Sequence, residues 1–358
     1  MEISIFKNRA PDEFDRFVLD SPSGHFLQTT AFGRSRGILG LKPYYIVVRD
    51  ADKVSACALV QRVSFPGFGS ILYSPRGTAP PLPDSETFAK ILDAVRKIAE
   101  RENAFLYKID PPVMRGDVET AEFLKSFGFR NAEPECSKLG TQSNAVFKIS
   151  LNRTPEEIPA SFDRNTRYYA RYSSTRGVSI CAAGAPEGWR ELYHVLSETA
   201  KRKKFPVFPR KYYRVLLESF ARIEALDILL SKYRGRTIAA LAVVYAGRAA
   251  WFLYGGFRWK YRDLRPMEGL HLEAMLRAQK RGAQMYDMGG TGVLNPETEG
   301  EKHPLFGIYC FKKGFGGEFI RFIPEQDLVL DEHRYGIFRR LVPIGVAATK
   351  MYGFLQRL

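Results

Sequence analysis

The sequence predicts an α/β chain in which one order of strands and helices is written twice. Three observations carry this expectation. The chain has 358 residues, 45% of them hydrophobic and 13% aromatic, enough for two domains of the usual ~100–200 residues. Each half reads as three strands, a helix and a further strand. Similar short sequences recur at matching places, Leu72-Tyr73 with Leu253-Tyr254 and Tyr107 to Asp110 with Tyr286-Asp287, as an internal duplication would leave them.

In the first half, residues 43–48, 56–63 and 70–73 read as strands from their β-branched and aromatic content. A helix follows over about 86–102, then a strand over 105–109 closed by Asp110-Pro111-Pro112. Residues 118–127 carry apolar side chains at helical spacing and stop at Gly128. The second half repeats the order: strands at 225–233, 237–245 and 249–254, a helix at 267–280, a strand at 284–287 and a helix at 303–312. Two last strands fall near 318–323 and 327–330. The expected domains are therefore 1–150 and 151–330, with a tail of 331–358.

Between the halves, residues 154–220 are basic and mostly helical in pattern. Thr154-Pro155-Glu156-Glu157 supplies a capping threonine, a first-turn proline and an acid that can reach back. The end of the tail, 337–358, is amphipathic and holds Arg339, Arg340, Lys350 and Arg357, but Pro343 and Gly345 predict a broken helix. Such a segment packs on the first domain or rests on an anionic membrane surface.

Net charge is +15, which points to an anionic partner: nucleic acid, a phosphorylated substrate or an acidic membrane face. Lys7, Arg9 and Asp12 interrupt the N-terminus too early for a secretory signal, and no stretch reaches the ~20 apolar residues of a membrane span. The expected location is the cytoplasm, with at most peripheral contact at the inner membrane face. Cys57, Cys136, Cys181 and Cys310 lack CxxC spacing and are expected as buried free thiols; the five histidines include no HExxH.

The most specific segment is His303 to Gly317, HPLFGIYCFKKGFGG, which follows the strand Tyr286-Asp287-Met288-Gly289-Gly290. Further runs are Phe26-Leu27-Gln28 through Phe32 to Arg36, Tyr73-Ser74-Pro75-Arg76-Gly77, Lys108-Ile109-Asp110-Pro111, and Arg164 to Val178. Together they resemble the Fem family of peptidoglycan-bridge aminoacyl transferases over most of the chain. The resemblance implies two tandem GNAT-like (acetyltransferase-like) domains. No sustained heptad run appears, so the coiled-coil arm that some members insert is not expected.

The resemblance also implies a reaction, the transfer of an amino acid from aminoacyl-tRNA to an amine on the stem peptide of a peptidoglycan precursor. That ester is already activated, so no cofactor is expected. Lys312 would stabilise the oxyanion or the departing ribose oxygen, and Phe311, Lys312, Lys313 and Gly314 would meet the aminoacyl end of the tRNA. The glycines would let backbone and substrate approach closely. Arg36, where the family usually has lysine, and Arg210 would clamp the precursor's diphosphate, with Tyr213 and Tyr254 beside them. Asp110 would orient or deprotonate the incoming amine; its other reading is a turn cap before Pro111, and Asp287 has the same two readings. Arg164, Arg167 and Arg171 with the run Lys201 to Lys204 form either a phosphate-tracking surface or solvated helix faces. Two rival functions remain: an acyl-CoA N-acyltransferase of the same doubled fold, and a non-catalytic tRNA- or membrane-binding protein. The loops Arg34 to Leu39 and Gln279 to Gln284 match the Q/R-x-x-G-x-G/A diphosphate nest of the CoA enzymes poorly.

Overall fold

The computed structural model describes residues 1–133, 142–204 and 206–347. In chain order they form β1 (Glu2–Lys7), α1 (Asp12–Asp20), α2 (Thr30–Gly37), β2 (Lys42–Asp50), β3 (Lys53–Phe65), β4 (Gly69–Ser74), α3 (Ser85–Glu102), β5 (Ala104–Ile109), α4 (Val118–Ser126) and β6 (Arg130–Asn131). Then come β7 (Ala145–Ser150), α5 (Glu157–Ala160), α6 (Arg164–Thr175), β8 (Val178–Ala183), α7 (Ala185–Lys203), α8 (Arg210–Arg222), β9 (Leu226–Tyr233), β10 (Arg236–Ala246) and β11 (Ala249–Phe257). The remainder is α9 (Pro266–Lys280), β12 (Met285–Gly290), α10 (Pro296–Glu299), α11 (Phe306–Lys313), β13 (Glu318–Arg321), β14 (Gln326–Val329) and α12 (Glu332–Ala347).

The chain divides into two compact units, Met1–Gln142 with Phe322–Leu358, and Ser143–Arg321. Each holds a seven-stranded sheet, β1-β2-β3-β4-β5-β14-β6 in the first and β13-β7-β12-β11-β10-β9-β8 in the second. The sheets are antiparallel except for one parallel pair each, β4–β5 and β11–β12. A parallel pair needs a crossover, and a right-handed helix supplies it: α3 in the first unit, α9 in the second.

The amphipathic patterns explain the packing. In α3, Phe88, Ile91, Leu92, Val95, Ile98 and Ala99 fall on one stripe and are buried against Ile46, Ala58, Val60 and Leu72. Asp84 caps the helix by accepting from the Thr87 amide, 3.0 Å, and Asn103 ends it in the left-handed conformation at φ 49°. In the second unit α9 lays Met267, Leu270, Ala274, Met275 and Ala278 on Leu241, Val243, Ala250, Tyr286 and Met288.

The unit boundaries differ from those the sequence suggests. β7 begins at Ala145 and belongs to the second sheet, between β13 and β12, while β14 belongs to the first, between β5 and β6. The buried ion pair of Lys108 with Asp327 pins β14 there, and the Tyr335 hydroxyl donates to the same carboxylate at 2.9 Å. The chain after β14 also lies on the first unit: Tyr335, Phe338 and Val342 of α12 bury against Val63, Ile71, Phe105 and Leu106. Contrary to the expected break, α12 continues past Pro343 and Gly345 to Ala347. Residues 348–358, with Lys350 and Arg357, lie outside the described residues.

Candidate active site

In the second unit the end of β12 and the helix α11 bring chemistry together. The β12–β7 register shifts between Asp287 and Gly290, so β12 carries a bulge there. The Asp287 carboxylate closes the bulge by accepting from the Gly289 amide, 2.6 Å. Gly289 sits at φ +71°, and a Cβ there would stand 3.8 Å from Lys312 Nζ. Bulges of this kind re-aim strand ends beside functional sites.

Lys312 enters this place from α11. It is only 5% exposed, and its Nζ donates to the Gly290 carbonyl at 2.7 Å. Burial pushes its pKa down to about 8, and the negative charge of Asp287 pulls it part of the way back. The group therefore stays mostly protonated at neutral pH yet sits near the range in which a proton is easily given up. Phe252 lies with its ring centroid 5.9 Å from Nζ. Phe311 is half-buried and packs on Phe315 (5.2 Å) and His271 (5.7 Å). Lys313 points outward and is exposed, 6.0 Å from the Tyr309 ring.

The glycines after Lys313 do something other than admit substrate. Gly314 is buried, and a Cβ on it would meet Thr166 Oγ1 at 2.3 Å and Asp163 Oδ2 at 3.0 Å. At Gly316, with φ +69°, a Cβ would fall 1.9 Å from the Ser161 carbonyl oxygen. The FKKGFGG turn is seated directly on the start of α6, where the Asp163 amide donates to the Gly314 carbonyl at 2.8 Å and the Asp163 side chain caps Thr166 at 2.6 Å. These glycines let two stretches of this chain approach, and through them fix Lys312. This packing accounts for a glycine at 314 without calling on a tRNA contact.

Of the expected precursor-binding residues, three share a neighbourhood on the second unit. Tyr213 of α8 and Tyr254 of β11 meet edge to face at 5.1 Å, and the Tyr212 and Tyr254 hydroxyls share a hydrogen bond at 3.3 Å. Arg210 opens α8, is exposed, and stacks its guanidinium 5.1 Å over Trp189. Tyr213 is buried, which pushes its hydroxyl pKa well up, so it presents a neutral phenol.

Arg36 and Asp110 belong to the first unit. Arg36 is 3% exposed, near the end of α2, with its guanidinium 5.5 Å from the Phe32 ring. Asp110 is 1% exposed and accepts from the Tyr73 hydroxyl (2.7 Å), the Arg76 amide (2.6 Å) and the Gln142 amide (2.8 Å). Three donors commit this carboxylate to holding the turn that follows β4, where Arg76 stands at φ +60°. This is the geometry of the turn-holding reading of Asp110. Cys310 is exposed and Cys181 half-buried, so of the described thiols only Cys57 is buried as expected; Cys136 lies outside the described residues.

One neighbour of Lys312 gave no sequence signal. His271 on α9 is fully buried; its Nδ1 shares a hydrogen bond with the Tyr286 hydroxyl at 3.1 Å, and its Nε2 has no partner among the described residues. Burial, with the Lys312 charge adding to it, drives its pKa to about 3, so the imidazole is neutral. A single histidine in an apolar helical stripe reads as core, and only the fold shows that it stands behind the lysine.

Comparison with known proteins agrees with this architecture. Residues 160–302 match the acetyltransferase (GNAT) domain family. The crystal structure of FemX superposes with a TM-score of 0.83 at 21% identity, over 95% of this chain and 100% of that one. A tandem GNAT protein from the clavulanic acid biosynthesis pathway superposes at a TM-score of 0.52 and 11% identity, over 92% of this chain. The Lipid II:glycine glycyltransferase of Staphylococcus haemolyticus is 22% identical over 94% of this chain and 95% of its own length. The chain is an acyltransferase of two tandem GNAT-like domains. A glycyltransferase of the same name from Staphylococcus aureus is 21% identical over 92% of this chain and 94% of its own length. These relatives and the FemX fold support the Fem resemblance of the sequence.

Proposed function

We propose that this transferase moves an amino acid from aminoacyl-tRNA to an amine of a peptidoglycan-precursor stem peptide, building the cell-wall cross-bridge. The carrying observation is Lys312, a buried cation fixed by the Gly290 carbonyl beside Asp287, inside the His303–Gly317 signature. The similarity to glycyltransferases named for Lipid II, over nearly the full length of both chains, supports the acceptor class. The longest described helix of the second unit is α7, 19 residues, in keeping with an armless type.

In the proposed step the acceptor amine attacks the ester carbonyl carbon, its lone pair forming the new C–N bond. The carbonyl electrons move onto oxygen, and collapse of the tetrahedral intermediate breaks the bond to the ribose oxygen, which takes up a proton as the attacking nitrogen gives one up. An ammonium carries three N–H donors; one of Lys312's is held by Gly290, leaving two for the oxyanion or the departing oxygen. A donor fixed in advance in a poorly solvated place costs no reorganisation when charge develops. Asp287 keeps the lysine charged against its burial. Arg210 and Tyr254 offer a cation and a phenol to the precursor, with the buried Tyr213 packed behind Tyr254. The ester supplies its own activation, so the reading calls on neither ATP nor a metal.

The acyl-CoA alternative fares worse on geometry. Arg34 to Gly37 form the last turn of α2, and Gln279 and Lys280 end α9. A diphosphate there would face helix carbonyls instead of the amides of a helix start. The test mixes purified protein with labelled aminoacyl-tRNAs and lysine-containing precursor, nucleotide-linked and lipid-linked. Label passing to precursor, and abolished by RNase, supports the reading. No transfer from any tRNA alongside transfer from CoA thioesters overturns it.

A further inference from the structure

The outward face of α6 is basic and aromatic, and the chemistry at Lys312 makes no use of it. Arg164, Arg167, Tyr168, Arg171, Tyr172 and Thr175 recur at helical spacing and line an open groove of about 440 Å³. The inward residues Thr166, Ala170 and Ser173 are buried. Tyr168 is 59% exposed, and the Arg164 and Arg171 side chains have no hydrogen-bond or ion-pair partner among the described residues.

The patch continues beyond the helix. Arg265 lies 4.0 Å over Tyr169, and the segment just before it carries Trp259, 46% exposed, flanked by the guanidinium groups of Arg202 (4.3 Å) and Arg262 (5.0 Å). Among the nearby acids, Asp163 is spent capping α6 and Glu268 is buried against Arg265. Asp263 is exposed, 3.7 Å from Arg262. Cations dominate the face.

We propose that this face docks the protein peripherally on a bilayer containing anionic phospholipid. Tyrosine and tryptophan with a wet edge settle at headgroup depth, and arginine offers a fork to lipid phosphate. Two of these rings are already in use against stacked single-stranded nucleic acid: Arg202 and Arg262 lie over Trp259 and Arg265 over one face of Tyr169, which leaves Tyr168 as the ring open to a base. Duplex RNA would engage the arginines but has no use for the exposed edges of Tyr168 and Trp259. None of the described helices is long and apolar enough to cross a membrane, so the attachment is to the surface. Docking would add to the proposed transfer by bringing a lipid-linked acceptor within reach, but it does not depend on it.

The test is flotation of the full chain with vesicles of phosphatidylcholine alone and of phosphatidylcholine with phosphatidylglycerol. The protein is expected to float only with the anionic vesicles, and less as salt rises. Arg164→Ser/Arg167→Ser/Arg171→Ser should weaken binding about 100-fold, from three surface cations at their usual contribution, and Tyr168→Ser alone several-fold. Arg96→Ser/Lys97→Ser/Arg101→Ser, an equal charge loss on α3, should leave it unchanged. Equal flotation of the α6 triple variant and wild type overturns the proposal. So does loss of labelled-tRNA binding by that variant with vesicle binding intact, which would give the face to RNA. Flotation is read without substrates, so absence of transfer by the wild type would sink the proposed function and leave the docking result standing.

Discussion

In both units the parallel strand pairing ends beside an aspartate. In the first it ends at Ser74 and Ile109, with Asp110 next; in the second it ends at Trp251 and Asp287. Asp110 receives three donors from the described residues and holds a turn. Asp287 holds a bulge through the Gly289 amide and lends its charge to a buried lysine. One topological position holds a turn in one sheet and, under the proposed function, belongs to a reactive constellation in the other. What separates them is the element packed on the strand end: α11 delivers Lys312 to the second sheet, and no described lysine is brought to Asp110.

The largest effect expected from this difference is on catalysis. Lys312→Met should lower turnover about 100- to 1000-fold, the usual loss for one fixed oxyanion donor, with the precursor KM little changed. A normal turnover would erase the distinction between the sheets. Next comes stability: Asp110→Ala removes a charged acceptor and strands buried donors, and should cost about 3 kcal/mol in urea unfolding. The kcat of the folded variant should remain within a few-fold of wild type. A hundredfold loss of kcat without loss of stability would make Asp110 the reactive carboxylate.

Smaller effects lie in pH. With a Lys312 pKa near 8 and the protonated form active, the single-turnover rate should hold below about pH 8 and fall above it. Lys312→Arg should move that limb upward. The same shift has a stability consequence. Between pH 8 and 10.5 the unfolded chain keeps a proton that the folded one has lost, so wild type should gain stability relative to Lys312→Met across that window. His271 works at the acid end, its folded pKa of about 3 standing below the ordinary 6.5. Wild type should lose stability as pH falls through that range, about 1 kcal/mol by pH ~5.5, and His271→Leu should remove that slope.

Much of this was readable in advance because it is local. The capping box at residues 154–157 forms as its sequence suggests: the Thr154 amide donates to Glu157 at 2.8 Å, and the Glu157 amide lies 3.4 Å from Thr154 Oγ1. The strand-rich order of each half, the stripe of α3 and the helix expected over 267–280, which runs from Pro266 as α9, follow equally from short-range pattern. The placement of β14 does not, because its partners β5 and β6 lie some two hundred residues earlier and nothing in Gln326–Val329 names them. β8 was missed because its VSICAA sequence is half-exposed and weakly alternating. The glycines of FKKGFGG were legible as close-approach positions, but a sequence does not say what approaches; here it is Ser161 to Thr166. Lys312 was found through its motif, whereas His271 and the bulge that seats the lysine exist only once α9, β12 and α11 are assembled.

The most direct test is the pH dependence of single-turnover transfer from labelled aminoacyl-tRNA to soluble nucleotide-linked precursor, for wild type, Lys312→Arg and Lys312→Met. The predicted result is transfer by wild type that falls above about pH 8, a limb displaced upward in the arginine variant, and a slow, pH-independent residue in the methionine variant. Wild-type and methionine profiles that coincide in rate and shape would contradict the assignment of Lys312 as the group that meets the developing negative charge.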